Sequence, residues 1–383
     1  MHLGIDATNI RIGGGITHLV KLLQNVDPIA FGFSHVTVWT SESTAKLLPE
    51  QSWLSKRSSP WMSKPSMFQL LWQQFKLPRE LSKAGCDVLF SPGGTLPLRC
   101  RFPSVTMSQN LLPFEVAEAA LFGRFSFMYA KMQILRLMQS KSFQVSSGVI
   151  FLTQYAHSVV VKTLGRISCR TILIPHGIEM RFLQSPRPQR LLSECTVDNP
   201  FRLLYVSIFM PYKHQIEVAL AVRQLRMEGI PIQIKFIGDS WGGYGIKFLE
   251  LLDRLDPGQE FLHWSGPESF DVLHSFYQDA DAFIFGSSCE NLPNILIESM
   301  AAGLPIASSD CGPMPEVLGN AGIYFDPRDP LSIANALRKL LVDMPLRARL
   351  AKLAWIKANT YSWKRCASDT FEFIANVARH KSL

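Results

Sequence analysis

Apolar positions in this chain come in short continuous blocks rather than strict alternation. Runs of four to eight residues recur at His2–Asp6, His35–Thr40, Asp87–Ser91, Ser104–Ser108, Gly148–Thr153 and Thr171–Pro175. The second half repeats the pattern at Phe201–Ile208, Gln233–Asp239, Phe261–Gly266, Ala282–Phe285 and Leu304–Ser308. Helix-like segments alternate with them: Thr17–Gln24, Leu121–Phe143, Phe270–Asp279, Pro293–Ala302, Leu331–Val342, Ala348–Asn359 and a last one opening at Tyr361-Ser362-Trp363. Apolar runs separated by helical stretches predict buried parallel strands, hence doubly wound α/β sheets.

The unit around residues 282–308 reads most clearly. Ala282–Phe285 predicts a buried strand and Gly286–Asn291 a polar loop. Pro293–Ala302 predicts a helix with Asn291 as cap, Pro293 near its first position and Gly303 closing it. Glu290 falls in the loop beyond the strand's carboxyl end, and Glu298 inside the helix. Open α/β sheets bind ligands at that end, and a helix N-terminus there offers backbone N–H groups and a partial positive charge suited to phosphate. Taken alone, the two carboxylates are equally compatible with a solvated helix face and a loop charge.

Composition sets limits. With 383 residues, 47% hydrophobic and 18% charged, the chain can build two packed domains and does not read as disordered. No apolar run reaches the ~18–20 residues of a membrane span. The start, MHLGIDATNI, lacks the features of a secretory signal, so a cytoplasmic protein is expected. Seven scattered cysteines, none spaced C-x-x-C, predict reduced thiols and no zinc site. The net charge of +8 is uneven: residues 1–180 hold 18 Lys and Arg against 9 Asp and Glu, residues 181–383 hold 21 against 22. The basic excess of the first half suits an anionic partner. Within it, Leu121–Phe143 carries Arg124, Lys131, Arg136 and Lys141 and no acid. This segment reads either as a helix packed on the sheet or as a basic amphipathic surface.

Other stretches carry chemistry by position. Arg11-Ile12-Gly13-Gly14-Gly15-Ile16 follows the first strand, and such a cluster lets backbone approach a phosphate or sugar, although it is neither G-x-G-x-x-G nor a P-loop. Lys213 follows the Phe201–Ile208 strand at a helix start. His176 stands in the turn Ile174–Glu179 that closes the first domain. Phe182–Pro200, with Pro186, Pro188 and Pro200 among polar residues, reads as a linker.

Glu290, seven residues, Glu298, then Ser-Met-Ala-Ala-Gly-Leu-Pro-Ile-Ala-Ser, with Pro315-Glu316 beyond, resembles the donor-site signature of the retaining glycosyltransferases of family 4. The resemblance implies two Rossmann-like domains facing across a cleft, the GT-B arrangement. These would be a first domain over 1–181, a linker over 182–200, a second domain over 201–360, and a C-terminal helix in 361–383 crossing back to the first. It implies a nucleotide-sugar donor, such as a UDP- or GDP-sugar, a glycan or lipid-linked acceptor, and no metal. By the same resemblance Glu298 would hold the ribose hydroxyls, Glu290 the donor sugar, and Lys213 the diphosphate. Catalytic weight would rest on Glu290 and Lys213. Gly14, Gly15, Asn110, His176, Gly238, Asn294 and Ile295 would complete the binding set.

The chain departs from the family at several points. The His-Asp pair found after the strand at Ser104–Ser108 is replaced by Gln109-Asn110, and Asn110 cannot titrate near neutrality. An Arg that accompanies the Lys falls on Ile208, so Arg202 or Arg11 would have to compensate. Gly-Phe-Gly after the first Glu is Asn291-Leu292-Pro293, which removes a backbone donor. Two other readings follow from these departures: a catalytically silent sugar-nucleotide-binding protein, or a UDP-N-acetylhexosamine epimerase of the same architecture. The basic first half points to an anionic inner membrane face rather than nucleic acid.

Overall fold

In a computed structural model that describes residues 1–11, 13–240 and 242–380, the chain forms two units, each with its own parallel sheet. The first comprises Met1–Ala119, Gly123–Gly177 and the described part of Ser362–Leu383; the second comprises Ala120–Phe122 and Ile178–Tyr361.

The first unit's strands are β1 (His2–Asp6), β2 (His35–Trp39), β3 (Leu54–Arg57), β4 (Val88–Ser91), β5 (Ser104–Met107), β6 (Gly148–Phe151) and β7 (Arg170–Leu173), in the order β3-β2-β1-β4-β5-β6-β7. All neighbours run parallel. β4, β5 and β6 are buried at every position, as strands covered on both faces must be. That is why they read as continuous apolar runs. The edge strand β3 alternates half-buried and exposed residues and carries no such signal.

The second unit's strands are β8 (Phe201–Val206), β9 (Ile232–Ile237), β10 (Leu262–Trp264), β11 (Ala282–Phe285), β12 (Ile306–Ser309) and β13 (Ile323–Phe325). Their order is β10-β9-β8-β11-β12-β13, parallel throughout. The order reverses between β8 and β11, so loops leaving these two strands meet at the switch point.

The C-terminal helix, Trp363–Arg379, belongs to the first unit. Ser362 caps it, its side chain accepting from the N–H of Arg365. Phe371 packs edge-on to Phe33, and Phe373 lies so close to β6 that a Cβ on Gly148 would meet its ring at 2.8 Å.

Several expected boundaries move. Residues 182–200 are part of the second unit rather than a free linker. Gln184 N–H donates to Ala301 O (2.9 Å), and Arg190 pairs with Asp281 (3.0 Å). The expected helix Leu121–Phe143 is instead Val116–Ala120 and Phe127–Val145, because Gly123 turns left-handed (φ 92°) and Ser126 caps a new start. That second helix buries Met132, Gln139, Ser142 and Phe143 and exposes Ile134 and Leu137, so it is packed on one side only. The helix expected at Thr17–Gln24 begins at Gly14, with Gly13 (φ 67°) making the turn. Gly14 and Gly15 thus lie in its first turn rather than in a loop, and Ile12 of the same cluster lies outside the described residues.

Candidate functional site

The loop after β11 is the chemical centre of the second unit. β11 ends at Phe285, and the helix that follows runs Asn294–Ala301. Its cap is Pro293, not Asn291: the fixed φ of proline (−78° here) leaves the chain poised to enter the helix. The first internal bonds are made by Leu296 and Ile297, both donating to Pro293 O (3.0 and 3.2 Å). Asn294 and Ile295 therefore supply the amides at the helix's positive end.

Lys213 comes from the loop after β8. It ends a 3-10 turn, Pro211–Lys213, and His214 then adopts φ 52° before the helix Gln215–Met227. Lys213 thus stands two residues ahead of that helix. Ser288 N–H donates to Tyr212 O (2.8 Å), which bonds the β11 loop to the β8 loop, and the Tyr205 hydroxyl on β8 donates to Lys213 O. His214 Nε2 and Ser288 Oγ are 3.0 Å apart and add a side-chain tie.

This framework brings Lys213 Nζ onto the carboxylate of Glu290. The ammonium also lies 5.3 Å from the Tyr212 ring centre and 5.5 Å from that of Phe285. Lys213 is buried, with 8% of its side chain exposed against 17% for Glu290. A cation so enclosed is held in one place, and its field is poorly screened.

Glu298 is apart from that pair. Its side chain is buried on the helix and accepts from the Tyr277 hydroxyl at 3.0 Å. Burial is the main cause that pushes its carboxyl up to about 8, with Glu179 adding and the Tyr277 bond and Arg181 opposing. The folded state therefore holds this proton more tightly than the unfolded chain, where the ordinary value is 4.5. The resulting stability is whole below about pH 4.5 and is lost as pH rises toward about 8. Glu298→Gln, which has no proton to lose, should therefore gain stability over the wild type progressively across that window and keep a constant lead above it. Paired thermal melts from acid to pH about 9 check this; a constant difference throughout would refute it.

Gly238 closes β9 with φ 150°, and its N–H donates to Gly266 O (3.0 Å). The indole of Trp264, 40% exposed and not core, donates to Gly238 O (3.0 Å). Of the two arginines put forward for the missing one, Arg202 is not at this loop. Arg202 sits at the start of β8, the opposite end from Lys213, against Asp281. Arg11, in the first unit, donates to Lys64 O at 2.7 Å and to Met62 O.

The other candidates belong to the first unit. Asn110 is exposed, its side chain accepting from Leu112 N–H (3.1 Å) in a local turn. His176 is buried in a ring stack, 4.7 Å from His18 and 5.5 Å from Trp363. Burial lowers the His18 pKa well below the usual imidazole value, and its Nδ1 lies 3.0 Å from Gln109 Nε2. A Cβ on Gly15 would come 3.3 Å from Gln109 Oε1.

Sequence reasoning missed Tyr277, His214, Arg181 and His18. Arg181 bonds Asp271 (3.0 Å), lies 3.5 Å from Glu179 and covers the Phe270 ring at 4.2 Å. Only the Phe270–Asp279 helical pattern hinted that Tyr277 faced inward. Among the described residues no three His, Cys, Asp or Glu side chains gather as metal ligands would, and none of the seven cysteines is in a disulfide.

Residues 194–354 match the model of the family described as glycosyl transferases group 1. The chain is similar to O-antigen chain mannosyltransferase B of Escherichia coli, 25% identical over 167 residues, 44% of either chain. Sucrose-phosphate synthase from Thermosynechococcus elongatus superimposes with TM-score 0.78 at 16% identity, covering 99% of this chain and 100% of that one. HepE of Anabaena, solved in complex with UDP-glucose, gives 0.70 at 18%, covering 100% and 99%. These likenesses show the fold, GT-B with two Rossmann-like sheets. The chain spans about a third to a half of the length of the curated relatives it matches.

Proposed function

We propose that this chain, whose residues 194–354 carry a group 1 glycosyltransferase domain, moves a hexosyl group from a nucleotide-diphosphate sugar to a hydroxyl of a glycan or lipid-linked acceptor, with retention. The observation that carries the reading is the Lys213–Glu290 pair, which joins the loop after β8 to the loop that leads into the Asn294–Ala301 helix. In the reaction the bond from the sugar's anomeric carbon to the diphosphate oxygen breaks. A bond to the acceptor oxygen forms on the same face, and the acceptor proton passes to the departing phosphate oxygen.

The work asked of the protein is electrostatic. Lys213 and the amides of Asn294 and Ile295 meet the charge that gathers on the diphosphate, and they are in place before the donor arrives. Glu290 holds that ammonium and faces the sugar as positive charge develops there. Glu298 receives the ribose hydroxyls. Support for a nucleotide sugar comes from the UDP-glucose bound by the HepE neighbour, and for a surface glycan from the O-antigen relative. The basic first unit suits work at an anionic membrane face, and no helix among the described residues is long and apolar enough to cross one.

The test is incubation with UDP-, GDP- and dTDP-sugars, following nucleotide release with and without acceptor extract, with NMR of the product's anomeric centre. Release that depends on acceptor, with the donor's anomeric configuration kept, is expected. Nucleotide sugars that bind but are never consumed would establish the silent binding reading instead.

A further inference from the structure

The helix Ser66–Phe75 is oriented against the usual rule. Met67, Phe68, Leu71 and Phe75 form one stripe and are all exposed, Met67 at 71% and Phe75 at 67%. The opposite face is buried and holds glutamines. Gln69 donates to Met62 O (3.1 Å) and Lys64 O (3.0 Å), and Gln73 donates to Asp6 (2.6 Å) and Thr95 O (3.1 Å). Trp72 is the helix's one anchor in the apolar cluster around Leu77 and Leu81. A helix that spends its inner face on polar bonds does not need an apolar outer face in order to fold. Amphipathic helices of soluble domains turn that stripe inward, and four large apolar side chains on one outer face mark a contact surface.

The charge around the stripe identifies what covers it. Residues 51–79 hold Lys56, Arg57, Lys64, Lys76 and Arg79 between Glu50, which pairs with Lys56 (2.6 Å), and Glu80, which pairs with Lys83 (3.1 Å). Lys64 and Lys76, at the two ends of the helix, are exposed. Lys64 lies 5.2 Å from the Phe68 ring and 5.5 Å from that of Trp61, itself partly exposed. The loop that caps the helix end continues the surface. Leu98 N–H donates to Gln74 (2.9 Å), the Leu98 side chain is 51% exposed, and Arg99 beside it is exposed. A second copy of this chain docked face to face would oppose these cations to themselves.

We propose that the Ser66–Phe75 helix lies on an anionic lipid surface, its apolar stripe entering the acyl boundary while Lys64, Lys76 and Arg99 meet headgroup phosphates. The inference rests on the membrane-linked acceptor proposed above and names the surface that would bring the protein to it. An interfacial helix binds by apolar area together with cationic attraction, and here both come from one continuous stretch. The Phe127–Val145 helix, which sequence alone put forward for this role, shows no comparable separation of faces.

The experiment is co-sedimentation of the full chain with vesicles of equal parts phosphatidylglycerol and phosphatidylcholine, and with phosphatidylcholine alone. Wild type should pellet with the anionic vesicles. M67Q/L71Q/F75Q should weaken that at least about tenfold, and K64E/K76E should abolish the preference for phosphatidylglycerol. Donor consumption in detergent-free solution reads the catalytic proposal separately. It should be unchanged in all variants, so that loss of vesicle binding with intact donor chemistry isolates the surface. Should the triple variant fold poorly, F75Q alone, at the 67% exposed end of the helix, serves in its place. Undiminished binding by these variants overturns the proposal. So does a wild type that ignores vesicles yet sediments as a dimer that the triple variant dissolves.

Discussion

Lys213→Ala is expected to lower turnover about 10²–10³-fold, the range seen when one preorganised charge or donor at a developing anion is removed. The reasoning starts from the enclosure of the ammonium. Lys213 is almost fully buried, fixed by Glu290 and flanked by the Tyr212 and Phe285 rings, so little reorganisation is needed when the diphosphate departs. Its charge acts where water screens it weakly. Because Ile208 stands where the resembled family carries a second cation, the loss should be larger than in a site with two cations. The fold should survive. Tyr205 bonds the carbonyl of Lys213, and Ser288 bonds the carbonyl of Tyr212; both contacts use backbone that the substitution leaves in place.

A moderate fall in melting temperature should nonetheless appear, because Glu290 is left partly buried without its cation. Lys213→Ala/Glu290→Gln should recover that stability and not the rate. Steady-state kcat for sugar transfer, read beside thermal melts of both variants, decides the matter. Turnover within threefold of wild type in Lys213→Ala would remove the diphosphate role.

The second sheet and its ligand end were legible because strands buried on both faces leave no polar residues to blur the pattern. Ala282–Phe285 and Ile306–Ser309 are buried at every position, and the sequence reading found both within two residues. The carboxylates at 290 and 298 were legible as a loop residue and a helix residue. Their partners were not. Lys213 and Glu290 are 77 residues apart and are joined through the pairing of β8 with β11, while Tyr277 and Glu298, 21 apart, meet between two helices.

His176 shows the same limit from the other side. The resemblance put its ring in the binding set, and the C-terminal helix brings Trp363 onto that ring, where a Cβ on Gly177 would meet Trp363 N at 2.0 Å. The Ser66–Phe75 helix went unseen for a different reason. Its apolar stripe faces outward and its inner face is glutamine, so the hydrophobic pattern pointed to no core face at all. β3 and β13, short and at sheet edges, gave too few buried positions to register.

Gly238→Ala is expected to cost roughly 3–5 kcal/mol of stability, placing it among the most damaging single changes available in the second unit. Two independent effects combine. The backbone sits at φ 150°, a region closed to residues with a side chain, which costs on the order of 1–3 kcal/mol by itself. A Cβ there would also stand 1.9 Å from Ser207 O and 2.5 Å from Ser207 C. Those are backbone atoms at the end of β8, so no rotamer change relieves the contact. Relief requires β8 and β9 to part at their carboxyl ends, and there Ser207 N–H donates to Ile237 O (2.8 Å) and Phe209 N–H to Asp239 O (3.0 Å).

The damage should not stay local. The turn that would be displaced leads directly to Lys213, and Gln215 anchors it by donating to Ile208 O (3.1 Å). Donor consumption should therefore fall along with stability in Gly238→Ala. Gly229, at φ 84° with nothing within 4 Å of its Cβ, supplies the control. Gly229→Ala should show only the backbone part of the penalty and near-normal activity. Chemical denaturation of the two variants side by side measures the difference, and equal losses would mean that the β8–β9 contact yields without cost.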